Sequence, residues 1–143
     1  IGVAQYIRSL ADNLFRSYGA ARAVKMEIDV ADITLDIDTV IPCALIINEL
    51  ISNALKHAFP DAWRGSGRTG EIRIALHQGA DHRFVLTVTD NGVGLPAGFD
   101  VQRCESLGLK LVGVLVKQLR GDLRLGPRDE TGCGFTVTFQ TPK

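Results

Sequence analysis

The segment ELISNALKHA at residues 49 to 58 has the pattern of a buried helix, yet it carries a carboxylate, a carboxamide and an amine at Glu49, Asn53 and Lys56. At about 100° per residue their side chains fall within roughly 60° of one another on a helix, so they form one narrow polar stripe. The opposite side of the segment is apolar, as in a helix packed on a core. Taken alone, the stripe also fits the solvated face of an ordinary amphipathic helix. A second motif is needed to give it chemistry.

Such a motif, DNGVGLP at residues 90 to 96, follows a strand-like segment. Asp90 would place a hydrogen-bond acceptor at the end of a strand. Gly92 and Gly94 allow positive φ angles, which let a flat ligand come close to the backbone. Further along, SLGLK at residues 106 to 110 opens a helix, and the exposed N–H groups of a helix N-terminus favour phosphate.

The three motifs fit one ligand. Asp90 could accept a hydrogen bond from an exocyclic amine, and Gly108 with its neighbours could hold phosphates. Glu49 and Asn53 could then hold a metal ion and the reacting end of the ligand. This interpretation gives the polar stripe a role that an isolated amphipathic helix lacks.

The elements that must position these motifs alternate along the chain. Apolar residues recur with helical period over residues 3–18, from Asp38 or Thr39 to about His57, and over 106–119. We expect Pro42 in the first turn of the second helix and Gly121 at the end of the third. Strand-like alternation is found over residues 24–30, 33–38, 71–76, 83–90, 122–125 and 134–139. Because most consecutive strands are joined by hairpins, the sequence predicts an α/β (α+β) two-layer sandwich, with a mixed, mostly antiparallel sheet and helices on one face.

The composition is that of a single soluble globular domain, with 143 residues of which 45% are hydrophobic and 22% charged. Sixteen basic residues balance sixteen acidic ones, so the net charge does not favour nucleic acid or an anionic membrane. No apolar run reaches the roughly 18 residues of a membrane span. The three cysteines lack metal-ligand spacing and are expected to be reduced thiols without chemistry.

The segment GSGRTG at residues 65 to 70 fits the dinucleotide-binding pattern G-x-G-x-x-G. That pattern requires a strand before the glycines and a helix after them, so that the pyrophosphate meets a helix N-terminus. Here a helix precedes the glycines and a strand follows. We therefore interpret the segment as a flexible connection.

The motifs together resemble those of a known family. NELISNALKHAF at residues 48–59 resembles the N box of the GHKL ATPases, DNGVGLP the first glycine box, and SLGLKLV at residues 106–112 the second, in the family's order. Within that superfamily the chain is most similar to the catalytic ATP-binding domain of bacterial two-component sensor histidine kinases, over at least residues 45–139. The resemblance implies the Bergerat-type ATP-binding fold.

The resemblance implies a role for each residue of the polar stripe. Asn53 would be a ligand of Mg²⁺, and Glu49 would act on the reacting side of the γ-phosphate of ATP. Lys56 and His57 would reach the phosphates. Whether Glu49 serves as a general base toward a histidine, which already has a nucleophilic nitrogen, is left open by the sequence.

The same resemblance assigns the glycine boxes to the rest of the nucleotide site. Asp90 would accept a hydrogen bond from the adenine amino group, and Gly92 and Gly94 would shape the adenine pocket. The phosphate lid would contain Gly108 and Leu109.

The closing segment GFTVTF at residues 134–139 resembles the last strands of the family, where a threonine often lies behind the adenine, and Thr136 is the candidate. The lid is short, with eleven residues between Gly94 and Ser106 and Phe99 as its sole aromatic residue. A short lid is typical of histidine kinases of the second phosphoacceptor family. Ser106 stands where a glycine is common in the second glycine box.

The resemblance also implies what lies outside the chain. Residues 1–20 would form the helix that follows a dimerisation and phosphoacceptor region, and residues 21–143 would form the catalytic domain. His57, His77 and His82 do not lie on a dimerising helix beside an acidic residue, so the acceptor would be a histidine on an upstream helix. The expected full-length protein is a homodimer that signals to a response regulator, with this domain in the cytoplasm and without nucleic-acid or membrane contact.

A protein of another functional class could use the same nucleotide pocket. An anti-sigma-type serine kinase, or a nucleotide-sensing interaction module, would use ATP to order the lid and control a partner. A histidine-bearing helical hairpin upstream would favour the sensor kinase, and its absence would favour the alternative.

Overall fold

The structure, a computed structural model, describes residues 3–18, 24–31, 33–55, 70–79, 82–92, 107–125 and 133–140. Within those residues the elements are, in chain order, α1 (Val3–Tyr18), β1 (Val24–Val30), α2 (Ile37–Asn53), β2 (Gly70–Gln78), β3 (Arg83–Asp90), α3 (Leu107–Gln118), β4 (Asp122–Leu125) and β5 (Cys133–Gln140). None of the three helices described there is long and apolar enough to cross a membrane.

The described strands form one five-stranded sheet in the order β1-β2-β3-β5-β4. Strands β1 and β2 run parallel, whereas β2–β3, β3–β5 and β4–β5 are antiparallel pairs. The β2–β3 hairpin closes where the N–H of Gly79 donates to the carbonyl of Arg83 at 2.7 Å. The predicted mixed, mostly antiparallel sheet is therefore confirmed.

One face of the sheet carries the core, and the helices cover it. Helix α2 packs against α1 on one side and α3 on the other. The opposite face is polar: Asp29 of β1 lies 3.1 Å from the guanidinium of Arg73 and 3.3 Å from Nε2 of His77, both on β2. This arrangement is the predicted two-layer sandwich. The buried positions of the three central strands alternate as Ile72, Ile74, Leu76, Phe84, Leu86, Val88, Phe135, Val137 and Phe139.

The prediction of a strand over residues 33–38 is wrong. Only Thr34 forms a single bridge there, and helix α2 already begins at Ile37. The carboxylate of Asp36 accepts a hydrogen bond from the N–H of Thr39 at 3.0 Å, which makes Asp36 the N-cap.

This cap corrects two further expectations about α2. The helix begins before the predicted caps, Asp38 and Thr39, because Asp36 already satisfies the first free N–H groups. Pro42 consequently lies in the second turn and not in the first. The buried Pro42 ring still packs on the inner side of the helix.

Helix α3 was predicted to end at Gly121, but the residue that adopts the left-handed conformation at its end is Arg120. Arg120 adopts the left-handed conformation, with φ of 55°, and its N–H donates to the carbonyl of Lys117 at 3.0 Å. The N–H of Gly121 donates to the carbonyl of Val116 at 3.0 Å, which completes a Schellman motif. Gly121 is required for another reason, since a Cβ atom there would overlap the carbonyl oxygen of Thr138 on β5. The glycine therefore permits the close approach of this turn to the sheet.

Candidate functional site

Helix α2 carries Glu49 and Asn53 on one side, one turn apart. Both side chains are partly exposed, whereas Leu50 between them is buried. A spacing of four residues brings side chains of successive turns together, so the carboxylate and the carboxamide are neighbours on the helix surface. The predicted phosphate-contacting residues Lys56 and His57 lie outside the described residues.

The helix widens immediately after Asn53. Ala54 and Leu55 continue the chain in a π-type turn, and both are buried. The N–H of Ala54 itself still bonds back into α2, where the carbonyls of Leu50 and Ile51 share it. Turns of this kind are frequent at functional sites. The buried residues around it hold Asn53 at a defined place at the end of the helix.

Asp90 is the last residue of β3 and lies on the helix-covered face, because it continues the alternating series of the buried Leu86 and Val88. Its side chain is partly buried. Oδ1 accepts a hydrogen bond from the N–H of Gly92 at 2.9 Å, which forms a tight side-chain turn. That bond fixes both the carboxylate and the buried Gly92. Gly94 lies outside the described residues.

Asn91 secures the same turn from β2, a role that the sequence analysis missed. Its Oδ1 accepts a hydrogen bond from the N–H of Glu71 at 2.7 Å, and its own N–H donates to the carbonyl of Glu71 at 3.1 Å. The side chain thus supplies an acceptor to β2 just beyond the end of β3. The available sequence signal is weak, since asparagine after a strand commonly marks any turn.

Helix α3 begins at Leu107, so Gly108 and Leu109 lie in its first turn. Leu109 is buried and anchors the turn in the core, while Gly108 is partly exposed. The first N–H groups of a helix lack intrahelical partners and carry partial positive charge, which favours an anionic ligand. Gly108 has no side chain to cover these donors.

Thr136 lies on the opposite face of the sheet from Asp90. It pairs with Thr87 of β3 and follows the buried Phe135, so strand alternation directs its side chain to the open face. In the same register the residue of β5 opposite Asp90 is Cys133. The structure therefore does not bring Thr136 to the side of the sheet that carries the other predicted site residues.

The sequence matches a known family over most of its length. Residues 38–143 match the family described as "Histidine kinase-, DNA gyrase B-, and HSP90-like ATPase". The chain belongs to this ATPase family. The match runs from the first turn of α2 to beyond β5 and contains every residue of the predicted site.

Sensor histidine kinases are relatives of this ATPase domain. Sensor histidine kinase PdtaS from Mycobacterium tuberculosis is 37% identical over 109 residues, which are 76% of this chain and 20% of that protein. Blue-light-activated histidine kinase 2 from Erythrobacter litoralis is 30% identical over 120 residues, which are 84% of this chain and 32% of that protein. The chain thus spans between a fifth and a third of the length of these curated relatives.

The histidine kinase domain of an Erythrobacter litoralis blue-light-activated histidine kinase has the same fold, with a TM-score of 0.86 and 25% sequence identity. The likeness covers 99% of this chain and 62% of that one. Membership of the ATPase family implies that the domain binds ATP. These relatives give no support to the alternative of a serine kinase or a nucleotide-sensing module.

Asn91→Ala is expected to lower nucleotide affinity roughly tenfold, which corresponds to about 1.4 kcal/mol. The loss of the bond from the Glu71 N–H would loosen the turn that holds Asp90, because only the backbone bond from Asn91 to Glu71 would still tie it to β2. Titration calorimetry with Mg-ADP measures the change. Asn91→Asp keeps an acceptor oxygen in the same place and should retain most of the affinity. Equal affinity of the Asn91→Ala variant and the unaltered domain would show that this contact does not position the turn.

Proposed function

We propose that the chain is the ATP-binding catalytic domain of a sensor histidine kinase, which transfers the γ-phosphoryl group of Mg-ATP to a histidine on an upstream helix. The observation that carries the proposal is the partly exposed Glu49–Asn53 pair at the end of α2 in a domain of the ATPase family. The named sensor histidine kinase relatives support it. The full-length protein would be a homodimer that passes the phosphoryl group to a response regulator, with this domain in the cytoplasm.

In this proposal Asp90 selects the base. Because the N–H of Gly92 holds Oδ1, we assign Oδ2 to the adenine amino group. Gly92, and Gly94 after it, let the adenine ring approach the backbone closely. The N–H groups at Gly108 and Leu109 would face the phosphates at the start of α3.

The end of α2 has a donor that suits Mg²⁺. This ion prefers oxygen ligands and keeps several waters, so the carboxamide oxygen of Asn53 together with phosphate oxygens is a fitting set. When bound, the ion would neutralise charge on the β- and γ-oxygens. Asn53 has the exposure that such a site needs, because it is partly exposed while its neighbours Ser52 and Ala54 are buried.

Glu49 would act on the acceptor. A neutral imidazole needs one ring nitrogen free to attack the γ-phosphorus, and the other nitrogen then carries the proton. The Glu49 carboxylate, one turn before Asn53, would accept a hydrogen bond from that N–H and thereby orient the ring. Lys56 and His57, which follow on the same stripe, would reach the phosphates.

The chain by itself should bind ATP and remain unlabelled by γ-labelled ATP on His57, His77 and His82. His77 lies on the open face of the sheet beside Asp29, opposite the face that carries Asp90. His82 lies at the other end of β3 from Asp90, roughly 25 Å away along the strand. The proposed acceptor helix with its histidine, added as a separate chain, should restore transfer because it supplies a positioned nucleophile.

The chemistry of the label distinguishes the outcomes. Acid-labile, base-stable label on the isolated chain would place the acceptor within it and contradict the proposal. Binding of ATP without transfer to the upstream segment would instead support a nucleotide-sensing module. Transfer to that segment only is the result we expect.

A further inference from the structure

Helix α2 exposes a regular series of large apolar side chains. Ile37, Ile41 and Leu45 are 57%, 50% and 43% exposed. They are spaced by four residues, and the next two positions of the same series are Glu49 and Asn53. Side chains at this spacing form one continuous ridge along a helix. We call these five residues the α2 ridge.

The ridge differs from the rest of the helix. Its three apolar residues do not pack in the core. The residues of α2 that face the core are a different set, and all of them are buried. Removing the exposed part of an Ile or Leu side chain from water is favourable, and a helix face that meets only water has no need of such residues. Three consecutive ridge positions with large apolar side chains therefore indicate a partner surface. The core-facing positions are Val40, Cys43, Ile46, Ile47, Leu50 and Ile51.

We propose that the α2 ridge is the docking surface for the helix that carries the acceptor histidine. The inference rests on the proposed function and names the surface through which its acceptor binds. A helix is the fitting partner because a ridge of side chains spaced by four residues packs into the groove between the equivalent rows of a second helix, at a crossing angle of about 50°.

The position of the ridge decides which helix binds. Leu45 lies one turn before Glu49 and Ile41 lies two turns before it, about 6 and 12 Å along the axis. A helix that covers these two residues brings its own next turn to Glu49, the next residue of the ridge. Any partner that binds this ridge lies over the reacting end of the site. A partner without a phosphoryl acceptor would therefore block transfer, whereas the acceptor helix would make it possible.

The proposal also defines the chemistry of the partner helix. It should carry apolar residues four positions apart, with the acceptor histidine one or two turns from them. The exposed carboxylate of Asp38 lies three residues before Ile41, near the far end of the ridge. A basic residue at the corresponding end of the partner helix would complement it.

Two ridge variants, Ile41→Glu and Leu45→Glu, test the docking surface in the transfer assay with the upstream histidine-bearing segment as substrate. The KM for that segment should rise at least tenfold in each. The Kd for Mg-ADP and the melting temperature should stay unchanged, because both side chains face solvent in this chain. Leu45→Met keeps the apolar volume and should preserve the KM.

Tyr6→Glu is the matched control. Tyr6 is 45% exposed, close to the 43% of Leu45, but it lies on α1 and not on the ridge. Its substitution should leave the KM unchanged. An unchanged KM in both ridge variants, or an equal rise in Tyr6→Glu, would overturn the docking surface while the proposed function stood. An unaltered chain that binds ATP but transfers nothing would remove the proposed function and the docking surface together.

Discussion

Asp90→Asn is expected to weaken ATP binding about a hundredfold, or roughly 2.7 kcal/mol, and to remove the preference for ATP over GTP. The Gly92 N–H fixes the orientation of the new carboxamide, because only the carboxamide oxygen can accept that hydrogen bond. The NH₂ group then takes the position of the second carboxylate oxygen. Toward the adenine amino group it presents a donor to a donor, so a charge-assisted bond is lost and a donor is left without a partner.

The affinity for GTP is the second measurement in this experiment. Guanine carries a carbonyl oxygen where adenine carries the amino group, so the new NH₂ group can donate to GTP. Calorimetric titrations with ATP and GTP, each with Mg²⁺, give the two affinities. Since the bond to Gly92 is retained, the fold should be unaffected, and a melting curve checks this.

Asp122→Asn is the control for charge. Asp122 is an exposed carboxylate at the start of β4, the edge strand that is separated from β3 by β5. Its substitution removes the same charge and should leave both affinities unchanged. If Asp90→Asn also leaves the ratio of ATP to GTP affinity unchanged, Asp90 does not contact the base.

The central hairpin is the part of the fold that sequence specifies most directly. In β2 and β3 every second residue is apolar, and a slip of one residue would move each set to the open face. Burial of one face therefore determines the pairing. The start of α2 is less determined, because ITLDID alternates like a strand and also contains Asp36, a strong N-cap. The bond from the Thr39 N–H decides in favour of the helix.

The site shows where local patterns stop being informative. A motif can assign a residue to a strand, but only the register of the sheet assigns its face. Burial of Phe135 sends Thr136 to the open side, and the pairing of β3 with β5 puts Cys133 opposite Asp90. Asn91 was missed for a related reason. Its bond to Glu71 joins residues twenty positions apart, and no local periodicity encodes such a contact.

The ridge on α2 combines both kinds of information. Its spacing is readable in the sequence, but exposure is not, since Ile37, Ile41 and Leu45 resemble core residues when only residue type is considered. The structure separates them from the buried face of the same helix. The exposure of these apolar residues next to Glu49 and Asn53 is what indicates a function. The number of apolar residues in the helix does not.

Asn53→Ala is expected to abolish the Mg²⁺-dependent part of nucleotide affinity while the stability of the nucleotide-free domain changes by less than about 0.5 kcal/mol. Asn53 is partly exposed at the end of the ridge, so truncation opens no cavity in the core, and alanine has the higher helix propensity. In the unaltered domain ADP should bind at least tenfold more tightly with Mg²⁺ than with a chelator. In the variant the two affinities should coincide, because the ion loses its protein ligand.

Asn48→Ala is the matched control, since Asn48 is the same residue type on the same helix and is also partly exposed, but lies off the ridge. It should keep the full difference between Mg²⁺ and chelator. Thermal unfolding of both variants without nucleotide separates recognition from folding. A loss of several kcal/mol in Asn53→Ala alone would mean that Asn53 bridges the π-type turn to the core, because a merely exposed side chain cannot contribute that much. The polar end of the ridge would then be structural, and the metal ligand would have to be another oxygen near the reacting end of the site.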